Sequence, residues 1–132
     1  MDAEKKLKYE LGAKGMVTIL LALGGFRDRF SEISGVVDIS ESTLSKRLSE
    51  GIEQNLWYKE YIDEGEERDW VKYALTEKGK IYYDIAEEQD LPEAWSDLRG
   101  AEFQYKVKKD LFFNEFMQNP ERIPPIDDVC DS

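Results

Sequence analysis

Histidine is absent from the 132-residue sequence, and cysteine occurs once, as Cys130. The first absence removes the commonest general base and the commonest metal ligand; the second excludes an internal disulfide. No other constellation replaces them. Glu87-Glu88 and Asp127-Asp128 are adjacent acids whose side chains do not converge on one substrate, so they read as solvated charge. The expectation is therefore no enzyme, no catalytic residue, no metal site and no cofactor. Long apolar runs are missing as well. The best, Met16 to Leu23, is eight residues long, against the roughly 18 that a membrane span requires, and it lacks a signal-peptide cleavage pattern. A soluble, cytoplasmic protein with no membrane partner is expected.

Positive charge is the scarcer sign, with 18 Lys and Arg against 29 Asp and Glu and a formal net charge of −11. The deficit is concentrated: residues 76–97 carry two basic and seven acidic groups, whereas 1–25 and 98–118 are each net positive by one. Such an acidic surface is what adaptation to a salt-rich cytoplasm produces, which points to a halophilic, archaeal host, although twelve lysines against six arginines point the other way. What the chain has in sufficiency is core material. Hydrophobic residues make up 41%, with sixteen aromatics, enough for one domain and a tail.

Apolar spacing sets out the elements. Met16, Ile19, Leu20 and Leu23 recur at helical period until Gly24-Gly25, predicting a core helix over 14–23, with Lys5, Lys6 and Lys8 on a possible helical extension before it. A short helix over 28–37 follows, with Asp28 as N-cap and Phe30, Ile33 and Val37 on one face. After a three-residue turn, Ser40 caps a third helix that runs to about Gln54, and Asn55 stands where a left-handed terminator belongs. Residues 56–63 and 69–75, rich in aromatic and β-branched types and separated by 64-EGEER-68, predict a hairpin. Thr76 caps a fourth helix to about Glu88, with Ile81, Ile85 and Tyr82 expected inward, and a last helix starts at Asp90-Pro92 and runs to Gln118. The tail, 119–132, has three prolines and net negative charge.

The order helix, helix, turn, helix, hairpin, helix is that of a winged helix-turn-helix domain: mainly α with one small hairpin. The blocks 29-RFSEISG-35, 39-ISESTLSKRL-48 and 73-YALTEKG-79 resemble, in order and separation, those of the HxlR-type winged-helix regulators, kin of the MarR, ArsR and PadR groups. The resemblance covers about residues 14–88 and implies a DNA-binding transcription regulator. The chain departs from the pattern in three places. Asn55 replaces a glycine, no cysteine precedes the first core helix, and the wing tip offers Glu64, Glu66 and Glu67 with only Arg68 positive.

A wheel drawn on the third helix with Leu44, Leu48 and Ile52 buried turns Ser42, Lys46, Ser49 and Glu50 outward, with Thr43 and Arg47 on the flank. Within 39–49 the charges are Glu41 against Lys46 and Arg47, so this face is locally positive. Steering by distant acid is screened beyond roughly 8 Å at physiological salt, so only the local surface counts. The expected DNA-binding residues are Arg29, Ser31, Ser40, Ser42, Thr43, Lys46, Arg47, Arg68 and Lys72, with Arg29 and Ser31 on phosphates. The plainer reading is an ordinary solvated helix face.

The last helix carries two apolar rows, more than a small core uses. Leu98, Tyr105, Leu111, Phe112 and Phe116 are the expected interface of a homodimer, and the plainer reading is a helix wrapping its own domain. The resulting organisation is a winged helix-turn-helix DNA-binding domain over 1–90, a helical dimerisation segment over 91–118 and an acidic flexible tail over 119–132. The expected partner is double-stranded DNA with a pseudo-palindromic operator. The competing reading is a winged-helix module of the transcription machinery that binds protein without sequence-specific DNA binding. A redox sensor at Cys130 is disfavoured by the acidic surroundings of its thiol.

Overall fold

The computed structural model describes residues 2–63 and 69–125. The chain forms two compact units, Met1–Pro92 and Glu93–Ser132. Cys130 and the end of the tail lie outside the described residues, as do the wing-tip residues Glu64, Glu66, Glu67 and Arg68.

The elements are α1 (Ala3–Leu11), α2 (Met16–Gly24), α3 (Phe30–Ser34), α4 (Glu41–Glu53), β1 (Trp57–Asp63), β2 (Asp69–Leu75), α5 (Glu77–Glu88), α6 (Leu91–Gln118) and a 3-10 turn at Pro120–Arg122. Helix α2 is apolar on every side, which is the pattern of a helix surrounded by others. Met16, Ile19, Leu20, Leu21, Ala22 and Leu23 are all buried. Ile33, Val37, Leu44, Leu48, Leu56, Trp57, Leu75 and Ala86, from the chain after it, complete the core among the described residues. The strands pair antiparallel in the register Trp57↔Leu75 to Asp63↔Asp69, which turns Trp57 and Leu75 inward together.

Four local expectations are corrected. The lysines before the core helix lie on a separate helix, α1, because Gly15 adopts a left-handed φ of +94° and breaks the run. The second helix covers only Phe30–Ser34, with Arg29 at the N-cap position. Asp28 does not cap it, because its carbonyl accepts the Tyr73 N–H at 2.8 Å and draws residues 28–29 against β2. In α4 the third inward position is Gly51, not Ile52, which is 38% exposed. The Trp57 ring occupies the space where a Gly51 side chain would stand, and its Nε1–H donates to the Leu48 carbonyl at 2.9 Å. In α5, Ile81 and Ile85 face outward at 57% and 51% exposure. The inward face is Gly79, seated on the Leu56 backbone, with Ala86 and the half-buried Tyr82 and Tyr83.

Helices α2, α4 and α5 end alike, each followed after one residue by a left-handed position: Phe26 (φ 67°), Asn55 (φ 61°) and Asp90 (φ 57°). At the end of α2 the Arg27 N–H reaches the Ala22 carbonyl and the Phe26 N–H that of Leu23; at the end of α4 the Leu56 N–H reaches Gly51 and the Asn55 N–H Ile52. These paired bonds satisfy carbonyls that a helix end leaves free, and they require a left-handed residue between them. Asparagine and aspartate tolerate that conformation; phenylalanine pays a steric cost for it.

Among the described residues one charged side chain is buried. Glu10 of α1 is 5% exposed, and its carboxylate accepts from Lys78 Nζ at 2.5 Å and from the Tyr82 hydroxyl at 2.8 Å, both on α5. Lys78 also donates to the Gln54 carbonyl at 3.0 Å, at the C-terminal end of α4. Burial alone would raise the Glu10 pKa, but the hydrogen bonds from Lys78 and Tyr82 and the nearby positive charge outweigh it and hold the carboxyl below its ordinary value. Burial, then the bond to Glu10, raises Tyr82.

In the second unit α6 is a 28-residue helix without a buried residue. Leu98, Phe103, Tyr105, Leu111, Phe112 and Phe113 are all more than half exposed. Phe112 meets Phe113 and Phe116 edge to face, with centroids 5.4 and 5.0 Å apart.

Candidate nucleic-acid interface

Helices α3 and α4 form the helix-turn-helix, and the start of α4 is built by hydroxyls. Ser40 Oγ accepts the Thr43 N–H at 3.2 Å, donates to Thr43 Oγ1 at 2.9 Å and lies 3.2 Å from Ser42 Oγ. This cluster satisfies one of the free amides of the first turn, and Glu41 complements the positive end of the helix. Ser40 and Ser42 remain exposed and Thr43 is half-buried. The three hydroxyls are therefore held to one another at the point where the backbone is most open to approach.

With Leu44, Leu48 and Gly51 inward, the opposite face of α4 is centred on Ser42, Lys46, Ser49 and Glu53, all exposed. Glu53 thus takes the outward place expected for Glu50. Lys46 makes no ion pair among the described residues, and its ammonium is free to reach outward. Arg47 is engaged within the unit. Its Nε donates to the Lys14 carbonyl at 2.9 Å, and one guanidinium nitrogen pairs with Glu50 at 3.0 Å, leaving the side chain 16% exposed. The wheel placed Arg47 on the flank without showing this attachment. The available signal was the Arg47–Glu50 spacing of three, which puts opposite charges side by side on a helix. The Lys14 carbonyl, 33 residues away in sequence, gave none.

Ser31 is exposed in the first turn of α3. Arg29 precedes it, half-buried and bridged through its backbone to Lys72 of β2, with its own N–H on Glu32 Oε1 at 3.2 Å. The bridge brings Arg29 and Lys72 together at the junction of α3 with the wing, a proximity concealed by a sequence separation of 43. Arg68 lies outside the described residues. Leu98, Tyr105, Leu111, Phe112 and Phe116 lie on α6 in the other unit, the first four exposed and Phe116 half-buried.

No group of three or more potential metal ligands exists among the described residues, and no described helix is long and apolar enough to cross a membrane.

Known proteins share this arrangement. The chain is similar to the transcriptional regulator YodB from B. subtilis. Against its reduced form the TM-score is 0.58, with 27% identity, 74% of this chain covered and 92% of that one. Against the diamide-treated form it is 0.57, again with 27% identity and 74% of this chain covered, and 94% of that one. A regulator of the MarR family from Enterococcus faecalis V583 shares the fold, at a TM-score of 0.56 and 23% identity, covering 83% of this chain and 94% of that one. No curated protein matches the sequence. The HxlR-like helix-turn-helix family matches residues 10–98, which is most of the chain and includes every element from α2 to α5. The winged helix-turn-helix is thus that of a regulator family and not of an enzyme family, and the chain belongs to the HxlR-like helix-turn-helix family of transcriptional regulators.

Proposed function

We propose that the protein is a homodimeric, sequence-specific transcription regulator that places α4 in the major groove. The observation that carries this reading is the outward face of α4: a capped helix start, short hydroxyl side chains and the exposed Lys46, which makes no ion pair among the described residues. Short side chains let the backbone approach base edges, and a lysine at this depth reaches guanine O6 and N7. Lys46 is the main base-reading residue, with Ser42 and Thr43 beside it. Arg47 serves chiefly to seat α4 on the turn at Lys14, since its guanidinium is already occupied. Arg29, Ser31 and Lys72 contact phosphates and fix the register, which carries no sequence information by itself. The wing-tip Arg68 adds a further phosphate contact, and Ser40 acts through its cap.

The dimer forms through α6, whose exposed Leu98, Tyr105, Leu111 and Phe112 constitute an apolar surface of the kind that marks an interface. Phe116 extends it by its edge contact with Phe112. A two-fold dimer sets its reading helices in successive major grooves about 34–36 Å apart, so the operator is pseudo-palindromic. The acidic composition fits function in a salt-rich cell, where counterion release contributes little to affinity.

The test is selection of bound fragments from genomic DNA, then titration across a salt series with Lys46→Ala. The variant is expected to lose on the order of 1–3 kcal/mol on the selected site and to relax preference at one position per half-site. Absence of sequence preference at every salt concentration would instead support a protein-binding module.

A further inference from the structure

A cleft of about 410 Å³ opens between β1 and β2, the end of α2 and the face of α5, a size in the usual range of small-molecule sites. Four aromatic side chains line it: Phe26, Tyr58, Tyr73 and Tyr83. Phe26 is 90% exposed and Tyr58 47% exposed. Tyr83 lies against Gly24, where any side chain on the glycine would collide with its ring. Asp28, Glu60 and Asp84 also line the cleft, and no ion pair or hydrogen bond holds their carboxylates among the described residues. Two lysines, Lys72 on β2 and Lys80 on α5, line it as well, with Lys80 at 3.9 Å from Glu77.

Phe26 is the anomaly. It occupies the left-handed position after α2, where Gly24 and Gly25 stand two places and one place too early to relieve the backbone. It gains almost no burial in return. Strain kept at an exposed aromatic is the mark of a side chain held for contact with something else. We propose that this cleft binds a planar aromatic monocation, its charge over the faces of the rings and beside Glu60 and Asp84. Ring faces attract cations through their quadrupoles. Three carboxylates against two ammonium groups, in a chain of net charge −11, favour a cation over an anion of the same shape. Burial, with Glu87 nearby, raises the Tyr83 pKa, so its phenol stays neutral beside the ligand.

The experiment is independent of DNA. Berberine, a planar quaternary cation, is titrated by fluorescence and calorimetry into the full chain in about 0.3 M salt, where general attraction to an acidic protein is screened. Naphthalene-1-sulfonate serves as the anion of comparable shape. Saturable one-to-one berberine binding is expected, weakened roughly five- to tenfold by Phe26→Gly and similarly by the pair Glu60→Gln and Asp84→Asn. Phe26→Gly relieves strain, so its loss of binding cannot be blamed on unfolding, and circular dichroism of the charge variant confirms its fold. The proposal is overturned by no saturable binding up to millimolar berberine, by binding that Phe26→Gly and the charge variant leave unchanged, or by preference for the sulfonate.

Discussion

In α2 six of nine residues are buried, whereas in α6 none of twenty-eight is. Both carry large apolar side chains, and the difference lies in where each finds its complement. The first unit closes round α2 on all sides. Helix α6 buries none of its residues, so its apolar rows stay exposed along its length. Apolar content alone does not tell a buried helix from an exposed one; the fraction covered does.

The strongest test of that contrast is at Ile19, fully buried in α2. Ile19→Ala is expected to cost about 2–5 kcal/mol, a large part of the roughly 5–15 kcal/mol that holds a domain together, measured by urea unfolding. Next comes Lys78→Met, which strands the buried Glu10 carboxylate and is expected to cost about 3 kcal/mol. Glu10→Leu with Lys78→Met should recover most of it, because the buried charge goes as well. The pH profile sharpens this. Glu10 is depressed, so its contribution is present above the ordinary carboxylate pKa and lost as pH falls through its lowered value; Tyr82 is raised, so stability declines as pH climbs above the ordinary tyrosine range. Lys78→Met should flatten the acid limb in particular.

On α6, Phe112→Ser should change unfolding of the first unit by no more than about 0.5 kcal/mol. It should nonetheless shift the protein toward monomer in light scattering. A loss of stability as large as that at Ile19 would mean that α6 belongs to the protomer core after all. The smallest effect is expected at Phe26, where glycine should stabilise by about 0.5 kcal/mol, because relief of the left-handed strain slightly exceeds the added freedom of the unfolded chain.

The parts legible in the sequence were those decided by a residue and its near neighbours. Ser40 and Thr76 cap as expected, Asn55 takes the left-handed turn, and the hairpin pairs where its aromatic runs predict. Periodicity failed where a partner from afar chose between neighbours. Gly51 displaced Ile52 from the inward face because the Trp57 ring needs the room, and Gly79 with the tyrosines displaced Ile81 and Ile85 because α5 lies close on the Leu56 backbone. Glu10 reads as one more surface acid until α5 folds over it. On the candidate reading face, Lys46 was placed correctly outward, while the restraint on Arg47 depended on a turn 33 residues away.

The hydrogen bond from Trp57 to the Leu48 carbonyl joins the first residue of the wing to the middle of α4. Its further consequence is optical. An indole that is 1% exposed emits at shorter wavelength than one in water, and its spectrum responds to the loss of a bonded carbonyl. The base of α4 therefore carries its own fluorophore. A tilt of α4 against the wing changes that bond, so stopped-flow emission can time the movement once the other two tryptophans are replaced by phenylalanine, leaving Trp57 as the sole indole.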